Sequence, residues 1–222
     1  MKAYGAIELT QANPPQSFEE PVTIAEMKDW LRYADPTDTS QDMLLYGLIT
    51  AAREIAEVMQ GKDLVLKQYD LHLDLLLGHD AVAGAAYPLR FNSIYNFGVG
   101  YDIPLRHPLY SVDLFRTTDQ NGVATTLAEN TDYKVDKNRS LVCPPFGKIW
   151  PFYTPDVTSS VLIRFTSGYA SSHPFWANDG QRVITGIKLL VTQWFEGRLP
   201  MGQELPAGVM SLLQLGARPR AY

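Results

Sequence analysis

The hydrophobic period of this chain changes twice, and those changes constrain its fold more than any single motif does. Apolar residues recur at helical spacing up to Met59, alternate with polar residues from Gln68 to Leu75, and return to helical spacing from Val183 to Trp194. A period of 3.6 belongs to a helix with one buried face and a period of 2 to a half-buried strand, so the order predicts helices, then strands, then helices. In "PVTIAEMKDWLRYADP", Thr23 lies three residues before Glu26 as a capping box, Ile24, Met27, Trp30 and Leu31 share a face, and Pro36 ends the run. "TSQDMLLYGLITAAREIAEVMQG" predicts a longer helix capped by Thr39 or Ser40 and stopped by Gly61. Leu45, Leu48, Ala52, Ile55 and Met59 form its apolar face, with Arg53, Glu54, Glu57 and Gln60 mostly turned away.

In "VLKQYDLHLDLL", Tyr69, Leu71, Leu73 and Leu75 point one way and Gln68, Asp70, His72 and Asp74 the other. Further strands are expected in "YSVDLFRTT", "VATTL" after the Asn121-Gly122 turn, "DYKVD", "SLVC" and "SSVLIRFTSGY". The stretch from Gly78 to Asp102 has neither charge runs nor a clear period and reads as a long loop. Beyond it, "QRVITGIKLLVTQWFEG" is helical, with Asn178 or Asp179 as cap, Val183, Ile187, Leu190, Val191 and Trp194 on one face, and Gly197 as stop. A last short helix is expected in "ELPAGVMSLLQLG", between Pro206 and Gly216. The fold class that follows is α+β: a small helical core of four helices with a strand-rich insertion between the second and third.

A chain of 222 residues with 45% hydrophobic residues can bury a substantial core. Its net charge of −5 opposes a grip on nucleic acid, which needs clustered cations. The single cysteine, Cys143, excludes an internal disulfide and cannot alone make a zinc site. "MKAYGAIELTQANPP" has no apolar run of signal-peptide length, and no window approaches the roughly 20 apolar residues that span a bilayer. The expectation is a soluble intracellular product with a Pro-rich arm at residues 1–20.

Candidate chemistry is thin. Asp70, His72 and Asp74 share a strand face, with His79 nearby, a donor set that suits a metal; a solvated strand face explains it equally. Gly98-Val99-Gly100 lacks the third glycine, preceding strand and following helix of a phosphate loop. Cys143 could pair with His107 or His173 as a nucleophile, or be a buried thiol at a strand end. Tyr95, Phe97, Tyr101, Phe146, Trp150, Phe152, Tyr153, Phe175 and Trp176 fall in loops or element ends, where aromatics serve either as core or as interface anchors.

Taken in order, "PVTIAEMKDWLR", "LITAAREIAEVMQGKDLV", "PLYSVDLF", "DYKVD", "VLIRFTSGY", "IKLLVTQWFEGR" and "PAGVMSLL" resemble the head–tail connector (adaptor, or head-completion) proteins of long-tailed phages and prophages. The resemblance runs from Pro21 to about Leu213 and rests on the order of the motifs. It implies a structural protein of the virion neck, assembled in the host cytoplasm, with no enzymatic activity and no cofactor. Such a protein forms a closed ring of about twelve subunits beneath the portal, built on heterologous interfaces. Its partners would be the portal protein, a stopper or tail-proximal protein, and further copies of itself, with DNA passing through the lumen without specific binding and no membrane involved.

On this resemblance, residues 1–20 are an arm, 21–197 a connector domain and 198–222 a docking segment. The domain comprises helices 21–61 and 178–197 with a β-rich insertion, 64–170. The docking segment would meet the portal through Arg198, Leu199, Met201, Leu212, Leu213, Arg218, Arg220 and Tyr222. The loop from Gly78 to Asp102 is longer than the family pattern, and its Tyr95, Phe97 and Tyr101 are candidates for contact with a neighbouring subunit or the tail. Two alternatives stay open: a tail-completion or other tail-proximal binding module, and a small metal-dependent hydrolase using Asp70, His72, Asp74 and His107. Within "TQWFEGR", Trp194 continues the apolar helix face and Arg198 begins the docking segment.

Overall fold

The computed structural model describes residues 6–10, 19–74, 76, 102–148, 150, 159–197 and 207–214. Four helices and two antiparallel sheets are present among them, with seven of the eight strands between the second and third helices, as an α+β reading requires. The chain divides into two compact units: 1–16 with 67–167, which holds the strands, and 17–66 with 168–222, which holds the helices. The β-rich insertion is thus a body with its own core rather than an appendage of the helical one.

In the helical unit, α1 (Ile24–Trp30) starts as its sequence dictates: Thr23 Oγ1 accepts from Glu26 N at 3.2 Å and Glu26 Oε2 accepts from Thr23 N at 2.9 Å. α2 (Asp42–Gln60) ends at Gly61, whose φ of 63° is the left-handed conformation that favours glycine. Its start departs from expectation. The cap is Gln41, without a side-chain bond, because Ser40 is committed elsewhere: its N and Oγ both donate to the Asp38 carboxylate at 2.9 Å. Order in this link comes instead from Lys28, buried on α1, whose ammonium donates to the Asp38 carbonyl at 2.6 Å and pairs with Asp42 at 2.5 Å.

α3 (Gly180–Gly197) and α4 (Ala207–Gln214) complete this unit. Asn178 donates to the Pro174 carbonyl at 3.1 Å and Asp179 accepts from Arg182 at 2.6 Å, the uses these two expected caps are seen to serve. The core joins Met27 of α1, Leu45, Ile49, Ala52 and Ala56 of α2, Val183, Ile187, Leu190, Val191 and Trp194 of α3, and Val209 and Leu213 of α4. A Cβ on Gly186 would lie 2.6 Å from Leu213 Cδ2, so the missing side chain is what lets α4 approach α3.

In the strand unit, the larger sheet runs β1 (Ala6–Leu9), β2 (Lys67–Leu73), β8 (Val161–Ser167), β4 (Leu109–Thr118), β5 (Ala124–Thr126). β3 (Ile103–Pro104), β7 (Leu141–Cys143) and β6 (Lys134–Asp136) form the smaller one. β1 is a correction to the arm expected at residues 1–20: Ala6 to Leu9 pair in register with His72 to Tyr69. A four-residue edge strand shows too little of its period to be read from sequence. Along β2 and β8, Tyr69, Leu71, Leu73, Val161, Ile163 and Phe165 are buried on one side, and the partnered rings of Tyr69 and Phe165 stack at 5.6 Å. At the end of β8, Gly168 has φ 120° and a Cβ there would run into the Val65 carbonyl, so glycine is required.

Candidate interaction surface

α2 is apolar on two sides. Leu45, Leu48, Ile49, Ala52 and Ala56 face the core. The opposite side carries Met43, which is 88% exposed, with exposed Leu44, Tyr46 and Val58, and a shallow groove lined by Ala51, Glu54, Ile55, Val58 and Met59. Ile55 and Met59, expected on the buried face, sit at its border and help line this groove. Gly47 lies in the same stripe and is exposed, and a Cβ there would meet nothing within 4 Å. Glycine in a helix interior costs about 1 kcal/mol relative to alanine, and nothing in the packing of the described residues calls for it here.

The charge on α2 is unevenly placed. Arg53 is fully buried, with Nε 2.8 Å from Glu20 and Nη1 2.8 Å from Glu57, while Glu54 remains 63% exposed. Burial works against the Arg53 charge, and Glu57 and Glu20 outweigh it, holding the guanidinium ionised. Glu57 also accepts from Leu64 N at 2.9 Å, which fastens the link leaving α2. Trp30, 44% exposed, donates to Thr192 Oγ1 at 3.1 Å, and the Lys188 ammonium stands 5.8 Å from the centre of its ring.

The residues expected to carry chemistry are engaged elsewhere. Asp70 takes two hydrogen bonds from Arg164, at 2.8 and 2.9 Å, and Arg164 is the main reason its carboxyl lies below the usual range. Asp74 accepts from Ser159 N at 2.9 Å, and the described residues contain no cluster of three metal donors. The ring of His107 meets Ser140 Oγ at 2.7 Å, while His173 accepts from Phe175 N at 3.1 Å. Cys143 ends β7 half-buried, and burial pushes its thiol up, away from the thiolate a nucleophile needs. His79 and Gly98-Val99-Gly100 lie outside the described residues.

The aromatics separate into three uses. Trp150 is core, 5.5 Å from the ring of Phe115, which is also buried. Phe175 and Trp176 form a cluster with Tyr169, which stacks on Phe175 at 4.0 Å. Phe146 is fully exposed at the tip of a turn closed by Lys148 N donating to the Pro145 carbonyl, with Gly147 at φ 73°. Tyr95, Phe97, Tyr101, Phe152 and Tyr153 lie outside the described residues, as do Arg198, Leu199, Met201, Arg218, Arg220 and Tyr222. Of the docking candidates, Leu212 is half-buried, and Leu213 is a correction. Its side chain is fully buried against α3 and its carbonyl accepts from Gln60 Nε2 at 2.8 Å, so it serves the chain's own core. No helix among the described residues is long and apolar enough to cross a membrane.

The sequence matches no family model and no curated protein. Solved structures do share its fold. A chain of the neck of an empty gene transfer agent (GTA) particle, computed with C6 symmetry, aligns over 98% of this chain and 97% of its own, with a TM-score of 0.65 and 22% identity. A chain of the native GTA neck computed with C12 symmetry aligns over 93% of this chain and 98% of its own, with a TM-score of 0.61 and 21% identity. A chain of the virion of the native particle aligns over 97% of both, with a TM-score of 0.65 and 20% identity. The likeness is one of fold and extends over both units.

Proposed function

We propose that this chain is a structural protein of a virion neck, a head–tail connector that forms a ring beneath the portal and joins the capsid to the tail. One observation carries the reading: a fold of two units is shared nearly end to end with chains from symmetric necks of a virus-like particle. Coverage of 98% and 97% matters here, because a borrowed domain would align over one unit only. The motif order from Pro21 to about Leu213 points the same way independently of the coordinates.

Its mechanism is positional rather than chemical. Copies pack through opposite faces into a closed ring of about twelve, because heterologous contacts that close generate rings. The excess of acidic residues keeps the DNA in the lumen mobile. The segment 198–222 docks on the portal through Arg198, Leu199, Met201, Leu212, Arg218, Arg220 and Tyr222. Tyr95, Phe97 and Tyr101 reach a neighbouring subunit or the stopper or tail-proximal protein. Coupled ordering of a chain end on a partner is a common way to join preformed rings.

Electron microscopy of the full chain mixed with its portal tests this. A ring stacked on the portal is the expected image. Particles in which the chain sits at the tail tip, or a portal that remains bare at saturating chain, would replace the connector reading.

A further inference from the structure

The outward face of α2 has three properties that the described residues leave without use. It exposes Met43 and Leu44 at its start and a shallow apolar groove further along. It keeps Gly47 in a helix interior where the described residues leave room for a side chain. A residue that weakens the helix and relieves no internal crowding is explained by a body that approaches the helix closely from outside. The face also bears Glu54 exposed, while the cation beside it, Arg53, is turned into the core.

We propose that this face is where a second copy of the chain docks, and that the copy presents its Trp30 and Lys188 platform. The proposal rests on the connector reading above and names the contact that closes the ring. Charge selects the pairing. Asp42 is paired with Lys28 and Glu57 is buried on Arg53, so the exposed charge of the α2 face is Glu54, and two α2 faces meeting each other would set Glu54 against Glu54. Lys188, above the exposed ring of Trp30, supplies the opposite charge beside an aromatic surface suited to the Met43 and Leu44 side chains. The two surfaces lie on different helices, so each copy offers one of each. Contacts between unlike surfaces propagate from copy to copy, as a ring needs, whereas a self-complementary patch stops at a dimer.

The test uses the full chain, alone and with its portal, followed by sedimentation and electron microscopy. Gly47→Leu is placed to fill the open space with a good helix former, so the chain is expected to keep its helical signal and to melt no lower than the unaltered chain while losing rings. Met43→Asp provides a second block at an exposed site. Glu54→Lys and Lys188→Glu are each expected to weaken assembly about tenfold, as truncated interfacial charge pairs do, and the double reversal to recover most of that loss. Rings formed by Gly47→Leu at wild-type concentration would leave the connector reading standing and overturn this contact. Loss of rings without recovery in the double reversal would overturn the Lys188 pairing. Absence of rings from the unaltered chain, with and without portal, would overturn the connector reading itself and this contact with it.

Discussion

Arg53 on α2 donates to Glu20, thirty-three residues earlier in the chain, over 2.8 Å, and both side chains are buried. A buried pair of this kind is expensive to break from one side, because the remaining charge loses its partner and cannot regain water. Arg53→Met leaves Glu20 and Glu57 facing an apolar chain and is expected to lower stability by about 3–5 kcal/mol. Glu20→Gln keeps an acceptor and should cost only about 1–2 kcal/mol. Urea unfolding midpoints at constant slope would show the difference, and equal costs for the two would mean that the charge is not what holds this contact.

Asp70 and Arg164 give the fold a defined acid limb. The hydrogen bonds from Arg164 hold the folded-state pKa of Asp70 below its ordinary value of about 3.9. A depressed carboxyl contributes stability that is complete above the unfolded pKa and is lost as pH falls through the folded one. Between pH 6 and pH 3, Asp70→Asn should therefore lose less stability than the unaltered chain. Parallel pH profiles would show that this pair contributes nothing to acid sensitivity.

Two glycines should respond to alanine with opposite signs. Gly47→Ala adds helix propensity in open space and is expected to stabilise the isolated chain by about 0.5–1 kcal/mol. Gly168→Ala forces a side chain into the Val65 carbonyl at a φ of 120° and should cost about 2 kcal/mol or more. Thermal midpoints of the two variants moving in the same direction would contradict this account of both sites.

Removing everything after Gly197 takes away α4 as well as the docking candidates. Leu213 and Val209 leave the core and Gln60 loses its acceptor, so the truncated chain is expected to be less stable by at least the ~2–5 kcal/mol of a buried leucine deletion. A truncated chain that melts with the full one would show that α4 is dispensable. Portal binding is better probed by Arg218→Glu with Arg220→Glu, which spare α4.

The long elements were legible because their periods are long. Val183 to Trp194 covers three turns on one face, and β8 alternates through seven residues, so few other folds satisfy them. Local chemistry was less legible where two uses compete for the same residue. Ser40 reads as a helix cap, yet bonding to Asp38 takes both its donors. Lys28 is buried on α1 because its ammonium meets the Asp38 carbonyl and Asp42, partners that helical spacing does not reveal. On α2, the outward apolar residues were visible as letters, but their exposure depends on which side α3 and α4 cover. A carboxylate face such as Asp70, His72 and Asp74 suggests metal until the cross-strand partner is known, and Arg164 stands far away in sequence.

Lys67 and Ser167, the first and last residues of the inserted block, are direct register partners on β2 and β8. The two ends of the insertion are therefore one strand spacing apart, about 4.8 Å. This changes how α2 and α3 find each other during folding. With 67–167 unformed, their meeting would close a loop of about a hundred residues, at an entropic cost on the order of 4 kcal/mol from length alone. Once β2 and β8 have zipped together, the same meeting closes only residues 61–66 and 168–179, about twenty in place of about a hundred. A block that separates the helices in sequence thus serves, when folded first, as the splint that brings them together.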